Sequence, residues 1–161
     1  LDLMSSWVSH LPNEKSYDEI IGHGLNEIEL KSNKQLSRFW LQDLNKNQEL
    51  PLINNSVDVC TIVAGWQYLQ EPEEIACELK RIIRPDGKLI ISFSDRAFWH
   101  KSPEIWVQNN GNGRLNYISS ILISQGWNQP TQIFETTSNN GLFDFFNYKG
   151  DPFYSVIALN N

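Results

Sequence analysis

The hydrophobic pattern is strongest between residues 57 and 93, where two apolar runs flank a helix-like segment. Val57–Ala64 is rich in β-branched residues and apolar on both faces, which predicts a central parallel strand covered by helices. From Pro72 onward, apolar side chains recur at helical spacing, and Pro85–Gly87 predicts the turn that ends this helix. The apolar positions of the helix are Ile75, Leu79, Ile82 and Ile83. Lys88–Phe93 predicts the next buried strand, so the whole segment predicts a right-handed βαβ unit.

Weaker patterns on the N-terminal side predict three further strands. Leu1–Leu3 is typical of the end of a buried strand, and we expect further residues to precede it. Asp18–Gly22 and Phe39–Gln42 are short apolar runs that predict two more strands. Between them, Asn26–Ser32 begins with a capping residue and continues with helix formers, which predicts a helix.

The C-terminal side predicts two helices and then two strands. Pro103–Val107 predicts a short helix, and residues 115–126 predict a second one that ends at a glycine. Thr131–Thr136 and Phe153–Leu159 predict strands, separated by the turn-rich stretch Ser138–Asp151. Without a helix between them, these strands predict an antiparallel hairpin at one sheet edge. The expected fold is α/β, a Rossmann-like three-layer sandwich with a mostly parallel sheet, formed by residues 1–161 as a single domain.

Composition and charge narrow the choice of partners. The formal net charge of -6 argues against nucleic acid, because binding to phosphate backbones depends on clustered Lys and Arg. No apolar stretch reaches the roughly eighteen residues that a membrane span needs. Cys60 and Cys77 have no Cys or His at metal-ligand spacing, which predicts buried free thiols, no metal site and a cytoplasmic location.

Three segments, taken in order, resemble a known family. Leu50–Asp58, Tyr68–Pro72 and Glu78–Ser92 are similar to signatures of the class I S-adenosylmethionine-dependent methyltransferases called type 11. Ser92–Lys101 and Pro152–Ala158 resemble a narrower methyltransferase-like branch found in cyanobacteria and plants. The resemblance implies S-adenosylmethionine as cofactor, bound where the carboxyl ends of the parallel strands form one rim.

The first strand departs from the family pattern. The resemblance implies a glycine-rich loop there, but the chain has Asp2–Ser9, which contains no glycine. Asp2 matches the acidic start of that loop, and Ser5 and Ser6 are candidates to supply a small turn, hydroxyl donors and a helix cap. The alternative is that the two serines only begin a helix.

The second strand departs as well. The resemblance implies an acid that accepts both ribose hydroxyls, and its position falls on Gly24. Asn26 or Glu27 is a candidate to replace it from the next turn. The alternative is that Gly22 and Gly24 only shape a tight connection between strand and helix.

The third and fourth strand ends supply the remaining cofactor candidates. The resemblance implies that Asp43 receives the adenine amino group and that Leu44 packs on the ring, although Asp43 is also interpretable as a solvated loop residue. Small residues at Ala64 and Gly65 permit close approach of a ligand. The aromatic residues that follow are Trp66 and Tyr68, and for Trp66 core packing stays an equal alternative.

No catalytic residue is assigned, because methyl transfer proceeds by alignment and desolvation and needs a base only for some acceptors. Asp95, Arg96, Phe98 and Trp99 follow the fifth strand and are candidates to line an acceptor pocket, with an ordinary Asp–Arg surface pair as the alternative. The histidines are interpreted as surface or capping residues; they are His10, His23 and His100.

The leading hypothesis is a methyltransferase that acts on an unidentified small molecule. The second is a pseudoenzyme or binding module with a degenerate cofactor site, motivated by the missing glycines and by Gly24. A nucleotide-dependent oxidoreductase is disfavoured, since no Gly-x-Gly-x-x-Gly follows any predicted strand. The identity of the acceptor and the oligomeric state are not assigned.

Overall fold

A computed structural model describes residues 1–12, 15–135 and 151–161. The strands in this part of the chain are β1 Asp2–Leu3, β2 Ile21–Gly24, β3 Arg38–Leu41, β4 Val57–Val63, β5 Ile83–Ser94, β6 Thr131–Glu135 and β7 Phe153–Leu159. The helices are α1 Glu27–Ser32, α2 Pro72–Ile82, α3 Glu104–Gln108 and α4 Gly111–Ser124. Two short 3₁₀ turns, Trp66–Tyr68 and Trp99–Lys101, follow β4 and β5.

The strands form one sheet in the order β3-β2-β1-β4-β5-β7-β6. Strands β1 to β5 are parallel to their neighbours within that group, whereas β7 is antiparallel to both β5 and β6. The predicted α/β fold with an antiparallel edge pair is therefore confirmed. The strand order reverses between β1 and β4, and the crevice at such a reversal is where open α/β sheets bind ligands.

The core lies where the helices cover the central strands. Helix α2 packs on β5 and α4, and α4 packs on β7. The inward face of α2 carries the predicted Ile75, Leu79 and Ile82, all fully buried. Trp127, which follows α4, connects this end of α4 to α2, because its Nε1 donates to the carbonyl of Ala76 at 3.0 Å. Helices α2 and α4 therefore cover β5 and β7.

Two details of α2 and β5 differ from the predictions. Cys77 is exposed, so the prediction that both thiols are buried is wrong for it; its neighbours Ile75 and Ala76 take the inward positions. Cys60 is buried as predicted, and burial raises the pKa of its thiol to about 12. Strand β5 already begins at Ile83, and the predicted turn is an irregularity in its pairing with β4, where Asp86 has a φ of 63°.

The family-like segments after β3 and in α2 are joined by a structural network. Arg81 donates to the carbonyls of Leu50 and Leu52 at 3.0 and 2.8 Å, and also bonds Glu78 at 2.7 Å. Glu78 in turn accepts from the backbone N–H of Leu50 at 2.9 Å. Arg81 lowers the pKa of Glu78, which keeps the pair ionised. These motif residues hold the loop before β4 against α2.

The predicted turn-rich stretch 138–151 lies, apart from Asp151, outside the described residues. Within the residues described, no helix is both long enough and apolar enough to cross a membrane.

Candidate functional site

A cleft opens at the carboxyl edge of the sheet, beside the point where the strand order reverses. Its volume is about 670 Å³, within the range of roughly 300–1,000 Å³ that is usual for small-molecule sites. It is lined by residues that follow β1, β2, β3, β4 and β5. Of the predicted cofactor residues, those that line it are Ser5, Gly24, Asn26, Asp43, Leu44 and Tyr68.

Asp2 lies beneath this cleft and organises the loop after β1. It is buried, and its Oδ2 accepts from the hydroxyls of Ser5 and Ser9 at 2.5 and 2.6 Å. The amide of Asn33 donates to the Ser9 hydroxyl at 3.0 Å and to the carbonyl of Ser6 at 3.1 Å. Asp2 therefore stabilises the loop that contains these serines by side-chain hydrogen bonds and does not line the cleft itself.

Met4 carries the backbone conformation that glycine would supply. Its φ is 60°, in the left-handed region that costs a non-glycine residue about 1–2 kcal/mol. The side chain packs against Gly65, where an added Cβ would lie 2.9 Å from the Met4 Cβ. The loop therefore keeps a glycine-like turn without containing a glycine.

His23 supports that turn from the neighbouring strand. The ring is buried below the cleft; its Nδ1 accepts from the N–H of Met4 at 3.2 Å, and its Nε2 donates to the carbonyl of Gln42 at 2.9 Å. These two contacts connect the ends of β1, β2 and β3. Burial lowers the pKa of His23 to about 4, so the ring is neutral near pH 7 and both contacts match that neutral form. The interpretation of His23 as a surface or capping residue is wrong.

Gly24 and the first turn of α1 form the next wall. A Cβ at Gly24 would lie 2.7 Å from the carbonyl oxygen of Ser5, so only glycine fits here without a shift. Asn26 caps α1, with its Oδ1 accepting from the N–H of Ile28 at 3.0 Å. Glu29 lines the cleft and accepts from the hydroxyl of Ser6 at 2.5 Å.

Glu29 is the carboxylate that sequence reasoning missed. The sequence candidate, Glu27, is paired with Lys31 at 2.8 Å on the exposed side of α1 and is not among the lining residues. Two positions along a helix turn the side chain by about 200°, so Glu29 faces the loop when Glu27 faces away. Helical spacing counted from the capping Asn26 is the signal that distinguishes them.

Asp43 and Leu44 begin the wall after β3. The N–H of Asn45 and the ammonium group of Lys46 lower the pKa of Asp43 by bonding its carboxylate at 3.1 and 3.2 Å. The side chain stays one-third exposed, so it remains accessible from the cleft. Leu44 is buried, with part of its surface facing the cleft.

Tyr68 connects this wall to the loop after β5. Asn45 donates to the Tyr68 carbonyl at 3.0 Å, and the Tyr68 hydroxyl accepts from the N–H of Phe98 at 3.1 Å. Trp66 is buried in the core, which decides between its two interpretations. Ser6 and Ala64 are not among the lining residues.

The four acceptor candidates separate in the structure. Phe98 lines the cleft, but Asp95 pairs with Arg114 at 3.2 Å and Arg96 pairs with Asp151 at 2.5 Å. The Trp99 ring lies 5.2 Å from the Arg114 guanidinium carbon. The loop contributes two lining residues that sequence reasoning did not select, His100 and Lys101.

Comparison with known proteins gives a family and a fold. A family model described as a methyltransferase domain matches residues 11–91, which is half of the chain. No match is found among curated proteins.

Three solved structures illustrate the likeness in fold. A methyltransferase from Thermotoga maritima, described as S-adenosylmethionine-dependent and as a possible histamine N-methyltransferase, is 15% identical with a TM-score of 0.62, over 88% of this chain and 72% of that chain. An arsenic(III) S-adenosylmethionine methyltransferase from Chlamydomonas reinhardtii is 15% identical with a TM-score of 0.56, over 89% and 55%. An S-adenosylmethionine-dependent methyltransferase from Aquifex aeolicus is 16% identical with a TM-score of 0.55, over 89% and 69%. The chain thus spans about half the length of the algal enzyme.

Proposed function

We propose that this chain, which belongs to the methyltransferase domain family, binds S-adenosylmethionine in the cleft and transfers its methyl group to a small molecule. S-adenosylmethionine is the cofactor indicated by that family. The proposal rests on one observation: six residues that the sequence analysis selected at separate strand ends all line the same cleft. They come from the ends of β1 to β4, and residues of the loop after β5 form a further wall of the cleft.

The chemistry of the lining residues fits the cofactor. Asp43 presents an ionised carboxylate that accepts hydrogen bonds, as the amino group of adenine requires, and Leu44 offers an apolar contact beside it. Glu29 and Asn26 supply further acceptors and donors near Gly24, where ribose hydroxyls need partners. Adenine would thus lie at β3, ribose at β2 and the amino-acid part over the loop after β1.

The departures from the family pattern concern how the rim is held. The serine loop is fixed by Asp2 and Asn33, and its left-handed residue by His23. These contacts supply the rigidity that a bound cofactor needs, which favours a functional site over a degenerate one. The pseudoenzyme hypothesis, in which efficient cofactor binding is lost, is tested by titration with S-adenosylmethionine.

Catalysis in this cleft requires positioning more than acid–base chemistry. When bound, the cofactor supplies a methyl group activated by a sulfonium centre. Asp43, Leu44, Asn26 and Glu29 would hold the adenosine part of the cofactor, which leaves the space beside Tyr68 and Phe98 for the acceptor. Tyr68 and Phe98 line this part of the cleft and would position the acceptor in line with the methyl group.

We also propose a narrower placement for the protein. The resemblance of Ser92–Lys101 to the cyanobacterial and plant branch supports this assignment, and Phe98, His100 and Lys101 of this segment line the cleft. Cys60 and Cys77 are both free, which favours a reducing compartment such as the cytoplasm.

Calorimetric titration with S-adenosylmethionine and S-adenosylhomocysteine tests the function. We expect dissociation constants in the tens to hundreds of micromolar, because Gly24 replaces the acid that would accept both ribose hydroxyls. Glu29 and Asn26 approach from the next turn, and incomplete pairing of one hydroxyl weakens binding about tenfold. Asp43→Ala should weaken both by about 1–3 kcal/mol through loss of a charge-assisted hydrogen bond. Its matched control is Asp58→Ala, which removes an exposed carboxylate paired with Arg84 outside the cleft.

Two results would contradict the proposal. Folded protein that shows no heat with either ligand at millimolar concentration would favour the binding-module hypothesis. Equal weakening by Asp43→Ala and Asp58→Ala would remove Asp43 from the adenine site.

A further inference from the structure

We propose that the methyl acceptor is a small planar molecule with an anionic group, and that Lys101 and His100 bind this group at the β5 side of the cleft. The inference rests on the proposed function, since it names the substrate class of the same site. It depends on where charges lie around the cleft and on which of them already have partners.

The acidic and basic groups of the cleft lie on opposite sides. Glu29 and Asp43 follow β2 and β3, whereas His100 and Lys101 follow β5. In the sheet, β1 and β4 separate these two groups of strands. Since adenine and ribose are assigned to the acidic side, the basic side is left for the acceptor.

The acidic groups already have hydrogen-bond partners. Asp43 is bonded to Asn45 and Lys46, and Glu29 accepts from Ser6 and Asn26. These contacts hold both carboxylates at the ends of β2 and β3, and neither lies within salt-bridge distance of Lys101.

Lys101 differs from the arginines of the same region. Arg96 and Arg114 are paired with carboxylates, at 2.5 and 3.2 Å. Among the residues that the structure describes, no carboxylate lies within salt-bridge distance of Lys101, whose Nζ is 5.4 Å from the centre of the Phe98 ring. A lysine that lines a cleft and has no carboxylate partner in the described part of the chain is suited to a carboxylate or phosphate.

Aromatic side chains next to Lys101 set the shape of the ligand. Phe98 is exposed and lies 6.3 Å from the Tyr68 ring, and the imidazole of His100 lies 6.3 Å from Phe98. The hydrogen bond from the Phe98 N–H fixes this wall to Tyr68. An aromatic wall beside an ammonium group and an imidazole matches a planar ring that carries a negative charge.

A competing role for Lys101 is to bind the carboxylate of the cofactor's own amino-acid part. We favour the acceptor because Lys101 follows β5, whereas the amino-acid part is assigned to the loop after β1. The two roles differ in a measurable way. If Lys101 binds the cofactor, its removal weakens the binding of S-adenosylhomocysteine but not that of 5′-methylthioadenosine, which lacks the carboxylate. If Lys101 binds the acceptor, its removal leaves the binding of both unchanged.

The test uses three probes of similar shape and different charge: 4-hydroxybenzoate, 4-hydroxybenzamide and 4-hydroxybenzylamine. Each is titrated into protein saturated with S-adenosylhomocysteine. We expect the benzoate to bind about fivefold more tightly than the amide, as one partly exposed ion pair allows, and the amine to bind most weakly. Lys101→Met should abolish this order, and His100→Gln should reduce it.

The control variant is Lys88→Met, which removes the same charge from an exposed lysine of β5 that does not line the cleft. It should keep the preference for the benzoate. Lys101→Gln serves as a second variant if the methionine form does not fold.

Three results would overturn the inference. The first two are equal affinity for the three probes and tightest binding of the amine. The third is that Lys101→Met weakens the binding of S-adenosylhomocysteine but not that of 5′-methylthioadenosine. Failure of S-adenosylhomocysteine itself to bind contradicts the proposed function instead. In that case the same three titrations on the protein alone still decide the charge preference.

Discussion

His23 shows at the scale of one residue how a rim without glycines keeps its shape. Its neutral ring accepts from Met4 and donates to Gln42, so it needs one protonated and one free ring nitrogen. A second proton would remove the acceptor and place a charge in a buried site. The ring therefore makes the conformation of the loop dependent on pH.

The pH dependence of stability follows from the lowered pKa of His23. The folded value is about 4 and the ordinary value is 6.5, so between these limits the unfolded chain binds a proton that the folded chain does not. The stabilisation is complete above pH 6.5 and is lost as the pH falls towards 4, with a limit of about 3 kcal/mol. Urea unfolding at a series of pH values should show a shallower dependence for His23→Gln than for the unaltered protein.

The control for this measurement is His10→Gln, which removes an exposed histidine. It should leave the pH dependence unchanged. Parallel curves for the unaltered protein and His23→Gln over pH 4–6.5 would show that the ring is protonated without cost.

At the scale of elements, close approach of α4 to β7 decides how the antiparallel edge is attached. The Tyr154 ring of β7 is stacked between Phe93 and Phe134, at 5.0 Å from each. Gly111 begins α4 directly against this ring, and a Cβ there would lie 2.1 Å from the Tyr154 Cζ. The two stacked rings restrict movement of the tyrosine ring perpendicular to its own plane.

Gly111→Ala should therefore destabilise the protein by about 1–3 kcal/mol, the usual cost of overpacking a well-packed core. Gly113→Ala is the matched control in the same helical turn. Its Cβ would meet the Asn109 side chain, whose nearest atom is Oδ1 at 2.3 Å and can rotate away, and alanine is the better helix former. Thermal unfolding should show a lower midpoint for Gly111→Ala and a smaller decrease, or an increase, for Gly113→Ala. Equal midpoints for the two variants would contradict the close packing of Gly111.

At the scale of the whole molecule, the cleft exists only because five strand ends meet at one edge. Residues from β1 to β5 line it, and contacts such as Asn45 to Tyr68 and Tyr68 to Phe98 join neighbouring loops. A ligand held by several strand ends binds the folded state and not the unfolded chain. Binding must then raise the stability of the entire domain.

Thermal unfolding should report this linkage. With a dissociation constant near 100 µM, S-adenosylhomocysteine at 1 mM should stabilise the protein by about 1.4 kcal/mol and raise the midpoint by about 3–5 °C. Asp58→Ala should show the same increase and Asp43→Ala a smaller one. An increase that is equal in all three proteins would show that Asp43 does not contact the ligand.

The sequence by itself determined the elements of the sheet, the family and seven of the residues that line the cleft. Strong local patterns carried these predictions: the β-branched run of β4, the helical spacing in α2 and the capping Asn26. Strand ends are readable because buried runs stop where polar residues begin. In a parallel sheet, those ends meet at one edge whatever the side chains are.

Only the tertiary structure decided what each rim residue contacts. Asp2 lies beneath the loop, Glu29 replaces Glu27 as the lining carboxylate, and His23 is a buried link. Lys101 lines the cleft, whereas Arg96 is paired with Asp151, which is 55 residues further along the chain. Such partnerships depend on distances between segments remote in sequence, and local periodicity contains no information about those distances.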